Sequence, residues 1–133
     1  MSQRSFHYLG SQVRVHADAA DTNGQFAMLE FRAFPGTEPP LHVHKNEDEF
    51  ILLLEGRMEV TVGGNQRVVE AGDSVHFPRG VPHTFRILTP SIRTVGVITP
   101  AGFEEFFRGL AGDTRPSFER IAQAAAQYGT QLC

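Results

Sequence analysis

The amino-acid sequence predicts an all-β fold, a closed double-sheet barrel followed by two short C-terminal α-helices. Two observations carry this. Between about residues 8 and 99, short alternating or apolar segments recur with Gly, Pro, Asn and Asp between them, as in folds built from many short strands. After Thr99-Pro100 the apolar spacing changes from a period of two to a helical period. At 133 residues the chain is long enough to bury one sizeable core. No internal repeat or linker divides it. The expectation is one domain over residues 1–133, with a barrel core at about 8–99 and a helical tail at about 101–129.

Residues 8–16 read as an N-terminal strand, and Asp21-Thr22-Asn23-Gly24 as the turn after it. Residues 26–34 form a longer strand that Pro35-Gly36 ends. Further strands are expected at about 40–44, 49–54, 57–62, 66–70, 74–78, 83–88 and 92–99, with Gly63-Gly64-Asn65 as a hairpin turn. Phe103, Phe106, Phe107 and Leu110 then recur at i, i+3, i+4 and i+7. That apolar helix face caps either the barrel or a neighbouring subunit. Residues 116–128 predict a second helix: Pro116 suits a first turn, the Ala-rich run propagates it, and Gly129 stops it.

The net charge of −3 leaves no basic footprint for nucleic acid or an anionic membrane surface. Lys45 is the only lysine among 12 basic residues, which leaves little scope for Schiff-base chemistry. Cys133 is the only cysteine, so no disulfide forms within the chain. No signal-like segment or apolar run of spanning length is visible, and a cytoplasmic location is expected.

Chemistry is concentrated at residues 36–56 and 72–83. Side chains alternate across a strand, so His42 and His44 point to the same face; on a helix they would diverge. Pro39 and Pro40 favour extended backbone just before them. Glu49 opens the apolar segment 50–54 and shares a face with Ile51 and Leu53. It therefore places a carboxylate at the end of an apolar row, where a cation is the usual remedy for the cost of burial. His83 follows the turn at Pro78-Arg79-Gly80 and shares a face with Phe85 and Ile87. Three neutral imidazoles and one carboxylate suit Fe, Mn, Ni, Co, Cu or Zn rather than Ca or Mg. Four protein ligands leave one or two coordination positions open, as a catalytic metal requires. One divalent transition metal held by His42, His44, Glu49 and His83 is the expectation. Glu47 and Asp48, in the loop before Glu49, read as solvated.

These residues carry a family resemblance. G-x5-H-x-H-x4-E-x6-G, at Gly36, His42, His44, Glu49 and Gly56, resembles the first cupin motif, and G-x5-P-x-G-x2-H, at Gly72, Pro78, Gly80 and His83, resembles the second. The 15 residues between Gly56 and Gly72 match the short spacer of small microbial cupins. The chain is thereby identified as a member of the RmlC-like cupin superfamily, and its tail is similar to that of small quercetin dioxygenase-like cupins. The resemblance implies a double-stranded β-helix (jelly roll), a metal on His42, His44, Glu49 and His83, and Glu49 as a base. One departure is Ile87, where the second motif usually carries Asn; that residue is not a ligand, and its loss makes the pocket floor more apolar. The resemblance also implies a homodimer, using residues near 8–16 and the 103–110 helix.

Phe31, Ile51, Leu53, His76, Phe85 and Ile87 are the candidate pocket residues, although the apolar members also read as barrel core. His76 either lines the pocket as an acid/base group or faces outward; His7 and His16 read as surface residues. Three functions fit this pattern. The first is a metal-dependent dioxygenase acting on a phenolic or enolisable small molecule. The second is a metal-dependent isomerase, lyase or hydrolase, for which His76 and the arginines are the only extra acid/base groups. The third is a non-catalytic barrel that binds a small ligand.

Overall fold

The computed structural model describes residues 4–113 and 115–133. Strands β1 (Ser5–Tyr8), β2 (Ser11–Ala17) and β3 (Ala27–Ala33) come first, with a single helical turn, α1 (Ala19–Thr22), between the last two. Then follow β4 (His42–His44), β5 (Asp48–Glu55), β6 (Arg57–Val62), β7 (Asn65–Glu70), β8 (Ser74–Phe77), β9 (His83–Ile87) and β10 (Ile92–Thr99). Helices α2 (Glu104–Gly109) and α3 (Phe118–Ala126) lead to a last strand, β11 (Thr130–Leu132). The strands form two antiparallel sheets, ordered β1-β2-β3-β10-β5-β8 and β11-β4-β9-β6-β7. This is the jelly-roll arrangement that the strand pattern predicts.

Alternation sets the inner faces. On β2, Ser11, Val13 and Val15 are buried while Gln12, Arg14 and His16 are exposed. One half of the core packs Leu53, Met58, Val60, Val69, Phe77, Ile87 and Ile92 between the sheets. The other half joins Phe6, Val13, Val15, Leu29 and Ile98 to Phe103, Phe106 and Leu110 of the α2 region. The apolar helix face that the 3.6-residue period predicts thus covers its own barrel, and Tyr8 meets Phe107 edge to face at 5.0 Å.

Several element boundaries differ from the sequence reading. The expected strand over 8–16 is a hairpin, because Leu9 (φ 51°) and Gly10 (φ 85°) are both left-handed and Tyr8 pairs with Ser11. The expected turn at 21–24 begins as α1. Asp18 caps it by accepting from the Asp21 N–H, while the Asp21 carboxylate accepts from the Asp18 N–H, a reciprocal capping box. Helix α3 is capped by the Ser117 hydroxyl, which accepts from the Arg120 N–H at 3.1 Å, so Pro116 precedes the helix rather than opening it. The barrel extends beyond 8–99, since β1 starts at Ser5 and the tail returns as β11.

Gly56 ends β5 with φ +90°, and a Cβ there would lie 2.5 Å from the Ser91 carbonyl oxygen. Gly64, in the next hairpin, has open space around it and no left-handed φ. Gly56→Ala is therefore expected to lower unfolding stability by about 2 kcal/mol or more, the sum of backbone strain and a backbone clash. Gly64→Ala should stay within about 0.5 kcal/mol of wild type. Urea melts of both variants measure this, and equal midpoints would contradict it.

Candidate metal centre

Both sheets contribute to one buried cluster. The nitrogens that His42, His44 and His83 can offer lie within 4.8 Å of one another, and all three residues are buried. His42 and His44 project inward from β4, and His42 is in direct register with His83 on β9. Glu49 comes from the opposite sheet: it lies on the inner face of β5 with Ile51 and Leu53, and its Oε1 is 3.7 Å from His83 Nε2.

The loops around the cluster are tied to it by side chains. Glu38 accepts from the Gly36 and Ile87 N–H groups at 2.6 and 3.0 Å, and the Thr84 hydroxyl donates to the Pro39 carbonyl at 2.7 Å. These bonds set the entry of the chain into His42. The turn at Pro78-Arg79-Gly80 is held by the Gly80 N–H, which donates to the His44 carbonyl at 2.8 Å. Arg79 adds three hydrogen bonds to Asp48, the residue before Glu49. The two motifs are therefore fastened to each other through the residues that flank the ligand candidates.

Each imidazole has its Nδ1 turned to an oxygen. His42 Nδ1 faces the Pro40 carbonyl at 2.8 Å, His44 Nδ1 the Thr130 hydroxyl at 2.7 Å, and His83 Nδ1 the Val81 carbonyl at 3.4 Å. With Nδ1–H donating, Nε2 is left as an unprotonated lone pair on each ring, the form a metal needs. Burial pushes the His44 imidazole down to about 4, and burial followed by the charge of His83 pushes His42 down as well. For Glu49, burial pulls upward, but interaction with His83 and the other two imidazoles outweighs it and holds the carboxyl below its usual range. With Nδ1–H on each ring, the donor set is three Nε2 lone pairs and one anionic oxygen, and it fits a divalent transition metal.

The other candidates fall into different places. His76 is outside the cluster: it points outward from β8, with its side chain 47% exposed, and stacks on exposed Phe50 at 4.3 Å. The reason is alternation, since Val75 and Phe77 take the inner face of that strand. Leu53 and Ile87 are fully packed core, with Ile51 and Phe85 at the margin of the same cluster. Phe31 packs against Phe107, at the helical end. Glu47, expected to be solvated, is only 7% exposed, because the loop folds it back towards His44. Its Oε1 lies 3.8 Å from His44 Nδ1 and has no hydrogen-bond partner among the described residues, and burial raises its carboxyl's pKa.

The aromatic rings that do touch the cluster are Phe77, stacked on His83 at 4.3 Å, and Phe103, edge-on to His44 at 4.7 Å. Phe77 was legible in principle, as the inward neighbour of an outward His76. Phe103 reads as part of an apolar helix face, but its contact with His44, like that of Thr130, had no local signal, because both arrive from the C-terminal tail.

A family profile described as a cupin domain matches residues 30–94, a span that contains every ligand candidate. The chain is 34% identical over 132 residues to a quercetin 2,3-dioxygenase of Bacillus subtilis, covering 90% of this chain and 39% of that protein. The chain belongs to the cupins. A second quercetin 2,3-dioxygenase, from Aspergillus japonicus, is 37% identical over 71 residues, which cover 50% of this cupin and 20% of that relative. This cupin therefore spans less than half the length of the curated relatives it matches. Among solved structures, KdgF from Halomonas sp. superposes with a TM-score of 0.64 at 20% identity, over 72% of this chain and 84% of that one, a likeness of fold. Among the described residues, no helix is long and apolar enough to cross a membrane.

The depressed His44 value has a consequence for the metal-free protein. A histidine held below its unfolded value favours the folded state above about pH 6.5, where both states are neutral. That contribution is lost as pH falls from about 6.5 towards about 4, because the unfolded chain takes up the proton first. The depressed Glu49 acts in the same direction at lower pH. The urea midpoint of the metal-free chain should therefore fall between pH 7 and pH 4.5, and less steeply in His44→Asn. Parallel profiles for the two proteins would contradict this.

Proposed function

We propose that this cupin holds one divalent transition metal through His42, His44, Glu49 and His83, and catalyses dioxygenation of a phenolic or enolisable small molecule. The observation that carries the reading is the convergence of three Nδ1-anchored imidazoles and one carboxylate at a single buried point. Sequence similarity to two quercetin 2,3-dioxygenases supports the oxygenase chemistry over other metal-dependent reactions. The outward position of His76 removes the one extra histidine that an isomerase or lyase reading relied on.

A bound divalent metal supplies Lewis acidity that lowers the pKa of a substrate hydroxyl, together with the redox capacity that O2 chemistry needs. The three imidazoles contribute neutral donors, so the site keeps net positive charge to attract an oxyanion. Glu49, held ionised, is the base that accepts the hydroxyl proton at a carboxylate oxygen. Phe77 and Phe103, both buried, pack on His83 and His44 and shield them from water.

Those same two rings also favour a second reading, in which the barrel binds a metal or small ligand without turnover, because part of the space beside the histidines is filled by the chain itself. Purified protein should contain a transition metal by elemental analysis, and His42→Ala/His83→Ala should lose it. After reconstitution with Fe(II), Mn, Ni or Co, O2 uptake is expected with a flavonol, a catechol or a β-diketone. Glu49→Gln should slow that uptake by about 10²–10⁴-fold, more than it lowers metal content. Metal content without uptake would select the second reading, and full metal in the double histidine variant would refute the site.

A homodimer completes the proposal. Strands β1 and β8 are the edges of the six-stranded sheet, and such edges need cover. The apolar face of the α2 region is used within its own barrel, which leaves the 8–16 segment and the outer sheet as the contact. Gel filtration should give twice the chain mass at micromolar concentration, and a monomer peak would contradict it.

A further inference from the structure

We infer that Thr130, on the C-terminal strand β11, is a positioning residue for the metal centre: its hydroxyl orients the His44 imidazole. The inference rests on the metal reading above and adds a residue outside both sequence motifs.

Thr130 is directly in register with His44 in the β11–β4 ladder, and both side chains are buried. Their bond, 2.7 Å between His44 Nδ1 and Thr130 Oγ1, is the shortest of the three Nδ1 contacts and the only one made to a side chain. A backbone carbonyl can only accept, so the Pro40 and Val81 contacts set one tautomer on their rings. A hydroxyl can rotate and either donate or accept. When Nδ1–H donates to Thr130, the lone pair is on Nε2, and the ring is fixed with that atom towards the cluster.

The strand that carries Thr130 is itself fastened at both ends. The Lys45 N–H donates to the Gly129 carbonyl at 3.0 Å, and the Cys133 N–H donates to the Leu41 carbonyl at 2.8 Å. Gly129 has φ +75°, and a Cβ there would press on the Asn46 side chain, so the turn into β11 is built against the loop that follows His44. Glu47 Oε1 also approaches Nδ1, but at 3.8 Å it is beyond hydrogen-bonding distance. Thr130 is therefore the group that holds the ring, and β11 ties the far C-terminal segment to the site.

The test uses the full chain and the metal alone. Co(II) and Zn(II) affinities are measured by competition with a chromophoric chelator, beside thermal melts of the metal-free proteins. Thr130→Val keeps the shape and removes the hydroxyl, and should weaken both affinities by about 10- to 100-fold. Thr130→Ser keeps the hydroxyl and should stay within about threefold of wild type. Should the valine variant not fold, Thr130→Ala is measured in its place. Equal affinity in the hydroxyl-free variant, or a loss in Thr130→Ser as large as in Thr130→Val, would overturn the inference.

A second readout needs no metal. In ¹⁵N spectra of the metal-free protein near neutral pH, His44 should be the Nδ1–H tautomer in wild type and mixed in Thr130→Val. An unchanged tautomer would overturn the inference. A wild-type chain that binds no metal but shows the tautomer shift would refute the metal reading and leave the positioning role standing.

Discussion

Four polar side chains converge in the interior of this barrel, and much of the surrounding structure serves to make that tolerable. Three imidazoles and a carboxylate, drawn from two sheets, lie within a few ångströms of each other among apolar side chains. Burying polar groups in this way is unfavourable unless each finds a partner. The three Nδ1 atoms do so locally, against Pro40, Val81 and Thr130. The unpaired edges of the rings and the Glu49 carboxylate face one another instead. A cation at their meeting point is the charge that such a donor set is suited to.

The frame around this cluster is redundant. Glu38 bridges the Gly36 turn and β9, Thr84 reaches back to Pro39, Arg79 clasps Asp48, and Gly80 bonds the His44 carbonyl. Apart from the Glu38–Gly36 bond, each of these links ties the segment around one ligand candidate to the segment around another. Backbone spacing alone would leave such a site loose by more than coordination tolerates. Second-layer hydrogen bonds remove that freedom.

Glycines at Gly56 and Gly129 show the same economy at the level of the backbone. At each, the chain turns with a left-handed φ while passing so close to a neighbour that a side chain would collide. The first carries the chain from β5 in one sheet to β6 in the other, against the β9–β10 connection. The second brings the C-terminal strand onto β4. At Gly56 the neighbour is a backbone carbonyl and only glycine satisfies both requirements at once; at Gly129 the neighbour is the Asn46 side chain, and the left-handed φ is the stronger constraint.

By itself the sequence determined what is local. Period-two alternation put His42 and His44 on one face, aligned Glu49 with Ile51 and Leu53, and marked most of the strands, because side-chain direction along a strand follows from backbone geometry alone. The helical period around Phe103, Phe106 and Leu110 was readable for the same reason. Tertiary structure decided the rest. It buried Glu47, which reads as a loop carboxylate, and turned His76 outward because Val75 and Phe77 claimed the inner face. It also brought Phe103 and Thr130 to His44. The second of these contacts joins residues 86 apart, and β11 is only three residues long, too short to leave a pattern. Contacts between distant segments depend on how the sheets pack, and no periodicity within either segment records that.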